Sequence, residues 1–259
     1  SLPHSLKITY VFMRRNFPVK KLYIEPKHNR FLLTCVFTQL LSWFILNCRN
    51  RIICNMLTLY YSEKSCSFAP HILLYDTGTD FVAKRIDFDT GEQNSQGYLS
   101  VNPKGRVPAL MTPDGVLTEN PAILLYIAQM YPEKQLAPKE PFALAKAQSF
   151  NMYIASTVHV GHAHKIRGSR WADDKTAHAS MADKVAQNME SYAKVIEEHY
   201  FVGPWVLGEQ YSMCDPYLAL VTRWLGPDGV LLDNFPKLKA HDVLMRTRSS
   251  MQSTLPIYA

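Results

Sequence analysis

The pattern of apolar and polar positions divides the chain at Met56. From there, the apolar run "MLTLYY" (56–61) predicts a buried strand, and the stretch 65–77 predicts a helix that ends near Gly78. Residues 80–88 alternate between apolar and polar side chains, as a second strand does. The order strand, helix, strand predicts a βαβ unit.

A hairpin and another helix follow this unit. The runs "VPALMT" (107–112) and "VLT" (116–118) flank a Pro-Asp-Gly turn, which is typical of a β-hairpin. The Asn-Pro pair at 120–121 then precedes the apolar run "AILLYIAQMY". This run predicts a helix with proline in its first turn, where the missing N–H costs nothing.

The rest of the chain has a helical pattern. Residues 132–141 carry three prolines and predict a linker. The segments beyond it predict amphipathic helices near 142–168, 173–200, 212–226 and 236–249. We therefore predict an α/β domain over residues 56–135 and an all-helical domain over residues 142–259.

Charge is distributed unevenly between the two sides of Met56. Residues 1–55 carry nine Lys or Arg and one acidic residue, whereas the other 204 residues carry 19 basic and 21 acidic groups, a net charge of −2. The net charge of +6 therefore comes from the front of the chain. It is no argument for nucleic-acid binding by the globular part.

The front segment 1–55 also contains an uncharged apolar stretch of 18 residues, from Phe31 to Cys48. Its length is near the lower limit for a membrane span, and polar residues dilute it. Three interpretations stay open: upstream sequence translated in frame before a true start at Met56, a membrane or surface anchor, or a genuine, disordered cytosolic extension. The first is favoured, because the pattern after Met56 is self-sufficient.

Cysteine usage indicates a reducing compartment, which we expect to be the cytoplasm. The chain has five cysteines that form no tight framework: Cys35, Cys48, Cys54, Cys66 and Cys214. Cys66 stands at the start of a predicted helix, and the position three residues later is Ala69, not a second cysteine. A thiol at a helix N-terminus has a lowered pKa. The pattern therefore predicts an accessible, acidic monothiol.

Two other interpretations of Cys66 remain. The residue can be an inert small side chain packed at a helix start. The reactive group can also be a neighbouring hydroxyl, for which the candidates are Tyr61, Ser62, Ser65 and Ser67.

The chain resembles the glutathione transferases in four stretches that occur in order: "YYSEKSCSFAPHI" (60–72), "VNPKGRVPAL" (101–110), "LTENPAILLYIA" (117–128) and "SMCDPYLA" (212–219). The first is most similar to the bacterial beta class. The resemblance implies a fold of class α/β plus all-α, with a thioredoxin-like N-terminal domain followed by an all-helical C-terminal domain. It also implies a homodimer that uses glutathione as co-substrate and no metal.

The resemblance assigns roles to particular residues. It implies a cis peptide bond before Pro108, with the backbone of Val107 pairing with the cysteinyl unit of glutathione. It implies that Glu119 and Asn120 hold the γ-glutamyl end, where a helix N-terminus also suits a carboxylate; either residue can alternatively be a simple N-cap. The implied set is Arg106, Val107, Pro108, Glu119 and Asn120 for glutathione, and Cys66, His159, Ser65 and Tyr61 for catalysis.

A histidine-rich stretch, 159–171, is the second candidate cluster. On a helix His159 and His162 share a face while His164 points away, so we expect no metal site there. The resemblance places His159 where beta-class enzymes have a histidine that reaches the active cysteine. The basic residues Arg167 and Arg170, with Lys165, form either a solvated face or a site for anionic ligands.

The implied function is a glutathione transferase. It either conjugates glutathione to small electrophiles or exchanges thiols with small disulfides through the monothiol Cys66. The alternative is a binding or regulatory module that has the same fold without turnover. We expect no nucleic-acid partner, and no membrane contact unless residues 1–55 are an anchor. Residues 212–215 are expected to form a capping box, with Cys214 buried beside it.

Overall fold

The computed structural model describes residues 56–259. The expectations for residues 1–55, including the apolar stretch and its three interpretations, therefore lie outside the described residues. Within 56–259, no helix is both long and apolar enough to cross a membrane.

A four-stranded mixed sheet forms the first part, in the order β2-β1-β3-β4. Strand β1 (Leu57–Tyr61) runs parallel to β2 (Phe81–Arg85), and β3 (Ala109–Thr112) and β4 (Gly115–Thr118) form an antiparallel hairpin. Strand β1 also pairs with β3 in the antiparallel sense. The predicted βαβ unit and hairpin are confirmed.

Three helices accompany the sheet: α1 (Phe68–Thr77), α2 (Gln96–Leu99) and α3 (Asn120–Met130). Helix α1 ends at Gly78, whose φ of 72° is the left-handed conformation that glycine adopts without strain. Helix α1 packs against α3 and also against two helices of the second part, Asp215–Leu225 and Ser249–Thr254. Most of its residues are therefore buried.

The second part is helical, as predicted. Helix α4 (Pro141–Tyr153) continues through a π-helical turn, Ile154–Val158, into α5 (His159–Ala163). The remaining helices are α6 (Lys175–Val195), which continues into a π-helical turn, α7 (Asp215–Leu225), α8 (Pro236–Arg246) and α9 (Ser249–Thr254). The fold class predicted from the sequence, a thioredoxin-like domain followed by a helical one, is confirmed.

The first predicted C-terminal helix, 142–168, ends earlier than expected, at Ala163. The chain then turns, and Gly168 lies against the His178 ring on α6, where a Cβ would come within 2.9 Å of the ring. This close approach requires glycine, and it fixes the segment that carries Arg167 and Arg170.

The segment 212–215 leads into α7, which begins at Asp215, and has half of the predicted capping box. The Ser212 N–H donates to the Asp215 carboxylate at 2.7 Å, but the Ser212 hydroxyl accepts from Cys214 N–H at 3.3 Å and not from Asp215. The same carboxylate accepts from the Val206 N–H at 2.8 Å. Cys214 is fully buried, as predicted, and burial raises the pKa of its thiol.

Candidate active site around Cys66

Cys66 lies in the turn between β1 and α1. The turn is held by Ser65, whose hydroxyl donates to the Ser62 carbonyl at 2.6 Å and contacts the Ser67 hydroxyl at 2.9 Å. The Ser65 oxygen also accepts from the Ser67 N–H at 3.3 Å. Ser65, predicted as a possible activator, is buried and is occupied in shaping this turn.

The structure brings three predicted elements together at Cys66. The Cys66 Sγ lies 3.5 Å from the carbonyl oxygen of Val107, and the Val107–Pro108 peptide bond is cis. The Asn120 side-chain amide, at the start of α3, donates to the Cys66 carbonyl at 2.9 Å. The thiol, the residue before the proline and the first residue of α3 therefore meet in one place.

The predicted acidity of Cys66 is wrong. Burial raises the pKa of its thiol to about 12, and the nearby charge of Arg167 only partly opposes this effect. Helix α1 begins at Phe68, so Cys66 precedes the helix and is not in its first turn. Part of the residue surface is exposed, but the side chain packs against the main hydrophobic core, where the charged form is disfavoured.

Glu119 lies beside this site in an unusual backbone conformation. Its φ is 71°, which is uncommon for a residue with a side chain. Its carboxylate lies 2.6 Å from the Lys104 ammonium group, and Lys104 also donates to the Thr118 hydroxyl at 2.7 Å. The carboxylate makes no side-chain cap to α3, so the N-cap interpretation does not apply to the Glu119 side chain.

The Asn120 side chain is buried, and its amide nitrogen donates its hydrogen bond to the Cys66 carbonyl. Its Oδ1 has no hydrogen-bond partner among residues 56–259. Asn120 therefore braces the cysteine turn, a contact that the sequence did not predict. Its backbone N–H is one of the first of α3 and has no helical partner.

His159 is the residue that the resemblance places near the cysteine. No hydrogen bond joins it to Cys66 within the described part of the chain, and its ring lies 4.9 Å from the Trp224 ring, centroid to centroid. Burial lowers the pKa of its imidazole to about 4, and the charges of His162 and three arginines add to the effect. His159 is therefore neutral at neutral pH.

The other histidines of the stretch 159–171 have structural contacts. His162 stacks on Trp224 with ring centroids 4.3 Å apart, and its Nδ1 lies 2.6 Å from the Asp228 carboxylate. His164 contacts Trp171 instead, with ring centroids 4.3 Å apart. Among residues 56–259, no three His, Cys, Asp or Glu side chains are grouped to hold a metal ion.

Tyr61 belongs to an aromatic cluster that it forms with His71 and Tyr258. Its ring centroid lies 5.3 Å from that of His71 and 5.6 Å from that of Tyr258. Its hydroxyl makes no hydrogen bond within the described residues. Tyr258 was not predicted, and no signal in the sequence points to it, because it is the second-to-last residue and lies far along the chain from α1.

The chain is similar to known proteins over most of its described length. Residues 56–129 match the family model described as the N-terminal domain of glutathione S-transferase. The glutathione S-transferase GstA of Escherichia coli O157:H7 is 32% identical over 200 residues, which cover 76% of this chain and 96% of that protein.

Two solved structures extend the similarity to the whole described fold. A glutathione transferase homologue from Sulfitobacter with bound glutathione is 41% identical, with a TM-score of 0.76, covering 78% of this chain and 97% of that one. A bacterial beta-class enzyme from Sphingomonas chungbukensis is 30% identical, with a TM-score of 0.64, covering 78% and 98%. By this family match and by these similarities over nearly the whole length of its relatives, this chain belongs to the glutathione S-transferase family.

Proposed function

We propose that this protein binds glutathione with its sulfur beside Cys66 and transfers it to a small acceptor. The observation that supports this most directly is the 3.5 Å approach of the Cys66 Sγ to the Val107 carbonyl. The Val107 N–H has no acceptor among residues 56–259. An extended cysteinyl unit that pairs with the Val107 backbone would therefore carry its own sulfur to Cys66.

The γ-glutamyl end of glutathione fits the start of α3. Its carboxylate suits the first N–H groups of the helix, and its ammonium suits the Glu119 carboxylate. Lys104 lies 2.6 Å from that carboxylate, but both side chains are largely exposed. An exposed ion pair of this kind contributes only about 0–1 kcal/mol, so an incoming ammonium can replace it.

Conjugation is the reaction that the state of Cys66 favours. The glutathione thiolate attacks the electrophile, a C–S bond forms, the leaving group departs with its electron pair, and the thiol proton goes to solvent. Because the pKa of Cys66 is about 12, its side chain stays protonated at neutral pH. It can then donate an S–H hydrogen bond to the glutathione thiolate, the role that a hydroxyl has in other transferases.

Thiol–disulfide exchange is the second candidate reaction, supported by the partial exposure of Cys66 and by Ala69 three residues later. The Cys66 thiolate attacks one sulfur of a disulfide, a mixed disulfide forms, and the other half leaves as a thiolate. A thiolate of reduced glutathione must then attack the mixed disulfide and release Cys66. The high pKa of Cys66 makes this route slower at neutral pH than conjugation.

The assembly is proposed from family membership alone. We propose a cytoplasmic homodimer with reduced cysteines, and sedimentation equilibrium on the purified chain tests the oligomeric state. A monomer at micromolar concentration would contradict the proposed assembly.

The binding proposal is tested by calorimetry with glutathione. Wild-type protein should bind, and Glu119→Ala should lose about 2 kcal/mol of binding free energy, because one partner of a charge pair is removed. Glu133→Ala is a matched control, since Glu133 is an exposed acid that lies after α3. Turnover of a chlorodinitrobenzene then separates an enzyme from a binding module. Absence of binding at millimolar glutathione would overturn the proposal.

A further inference from the structure

Tyr258 packs on both ends of the turn that carries Cys66. The turn runs between Tyr61, the last residue of β1, and Phe68, the first residue of α1. The Tyr258 ring centroid lies 5.6 Å from that of Tyr61 and 5.3 Å from that of Phe68, the second pair being edge to face. The Tyr258 side chain is itself buried. One buried ring therefore contacts the residue that enters the cysteine turn and the residue that leaves it.

Two polar contacts fix Tyr258 in this place. Its hydroxyl lies 3.1 Å from the His71 Nδ1 on α1, and its backbone carbonyl accepts from the Arg223 guanidinium on α7 at 2.9 Å. The same guanidinium lies 4.6 Å from the centroid of the Phe68 ring, within the range of a cation–π interaction. The helical part of the protein therefore reaches the cysteine turn through Arg223 and Tyr258.

The Cys66 sulfur is weakly held by its own polar contacts. Among residues 56–259 its thiol makes one, the approach of Sγ to the Val107 carbonyl at 3.5 Å. A thiol is a weak donor, so this contact does not fix the side chain by itself. The hydrogen bonds of Ser65 shape the interior of the turn, whereas the two ends of the turn pack on the Tyr258 ring. The direction of the sulfur therefore depends on how these two ends are held.

We propose that Tyr258 is a positioning residue of the proposed reaction, whose ring holds the two ends of the cysteine turn so that the Cys66 sulfur stays at the Val107 carbonyl. The proposal rests on the proposed function, since that function places the glutathione sulfur beside Cys66. Reaction rates depend steeply on position, and a displacement of about 1 Å can cost roughly a hundredfold. The ring makes the contacts with the turn and the hydroxyl orients the ring, so phenylalanine should keep the position of the thiol.

Three variants separate the position of the thiol from the stability of the fold. Tyr258→Leu removes the ring, and Tyr258→Phe keeps the ring and removes only the hydroxyl. Arg223→Gln removes the bond to the Tyr258 carbonyl and decides the question if Tyr258→Leu does not fold. Tyr200→Leu is the matched control, because Tyr200 lies in a separate aromatic cluster, where its ring stacks on that of Tyr153 with centroids 5.3 Å apart.

Loss of the ring should change two measured rates in opposite directions. In Tyr258→Leu the turn opens and the thiol is less desolvated, so alkylation of Cys66 by iodoacetamide at pH 8 should be roughly tenfold faster or more, as a tenfold larger thiolate fraction gives. The kcat with a chlorodinitrobenzene should fall roughly tenfold or more, because the sulfur leaves its place beside glutathione. The affinity for glutathione, measured by calorimetry, should stay nearly unchanged.

Tyr258→Phe should keep the wild-type alkylation rate and kcat even though it loses stability, and Arg223→Gln should change both in the same directions as Tyr258→Leu, by less. Wild-type rates in folded Tyr258→Leu, or changes that Tyr200→Leu reproduces, would overturn the positioning role while leaving the proposed function intact. A loss of kcat in Tyr258→Phe as large as in Tyr258→Leu would also overturn it. Wild-type protein that neither binds glutathione nor turns over the electrophile would overturn the proposed function, and the positioning role with it.

Discussion

The side-chain amide of Asn120 donates a hydrogen bond of 2.9 Å to the backbone carbonyl of Cys66. This bond joins the first residue of α3, where we place the γ-glutamyl end of glutathione, to the turn that carries the thiol. The places that we propose for the γ-glutamyl end and for the cysteinyl sulfur are therefore held in one register by a buried side chain. The Asn120 Oδ1 has no partner among residues 56–259, so only one of its polar atoms is used.

Replacing Asn120 by Asp should damage both stability and binding. The carboxylate cannot donate to the Cys66 carbonyl and places a negative charge against it in a buried position. We expect a loss of about 1–3 kcal/mol in the free energy of unfolding, measured by urea denaturation, and weaker glutathione binding. Gln252→Glu, a change of an exposed amide on α9, is the control. Unchanged stability and affinity in Asn120→Asp would contradict the bracing role.

The pH dependence of Cys66 alkylation follows from its pKa. Because burial raises the pKa from an ordinary 9.0 to about 12, the alkylation rate should rise about tenfold per pH unit from pH 7 to 10 without a plateau. Iodoacetamide labelling followed by peptide mapping isolates Cys66 from the other cysteines. A plateau of the alkylation rate near pH 7 or 8 would contradict the raised pKa and support the acidic thiol that the sequence predicted.

The same shift makes stability depend on pH. The folded protein holds the Cys66 proton more tightly than the unfolded chain does. The contribution of this proton to the free energy of unfolding is therefore complete below about pH 9 and is lost as the pH rises toward 12.

The charge of Arg167 should affect the alkylation rate of the Cys66 thiol. Its charge lowers the pKa of Cys66, so Arg167→Gln should raise that pKa further and slow alkylation at any pH between 7 and 10. Arg246→Gln, which also removes a positive charge, should leave the alkylation rate unchanged. An alkylation rate that is the same in wild type and Arg167→Gln would show that the guanidinium lies too far from the sulfur to change its pKa.

The end of the chain supports the helix that follows Cys66. The Tyr258 hydroxyl lies 3.1 Å from the His71 Nδ1, and His71 is fully buried with no partner for its Nε2 among residues 56–259. Tyr258→Phe should therefore cost about 1–3 kcal/mol of unfolding free energy, because it leaves the buried imidazole without any hydrogen bond. Tyr75→Phe, at a more exposed tyrosine of α1, is the control for urea denaturation. Equal stability of the two variants would contradict this role.

Local patterns predicted most of the fold. The strands, the hairpin and the helix beginning at Asn120 depend on alternation, turn residues and proline position, which are all short-range signals. The resemblance added the cis bond before Pro108. Burial of Cys66 could not be read from its neighbours, because it depends on where α1 begins and on the contact with Val107.

Long-range contacts explain the other differences. Tyr258 meets His71 across 187 residues, and nothing near either residue indicates the contact. The packing of the His159 ring on Trp224 likewise joins two segments that are far apart in the sequence.

The central claim, that glutathione places its sulfur beside Cys66, is tested most directly by incubating the reduced protein with oxidised glutathione at pH 9. Peptide mapping by mass spectrometry then locates the adduct. We predict one glutathionyl group on Cys66, formed by thiolate attack with release of one glutathione, and slower formation in Glu119→Ala because the disulfide is no longer held. An unmodified Cys66, or a rate at Cys66 that Glu119→Ala does not change, would contradict the claim.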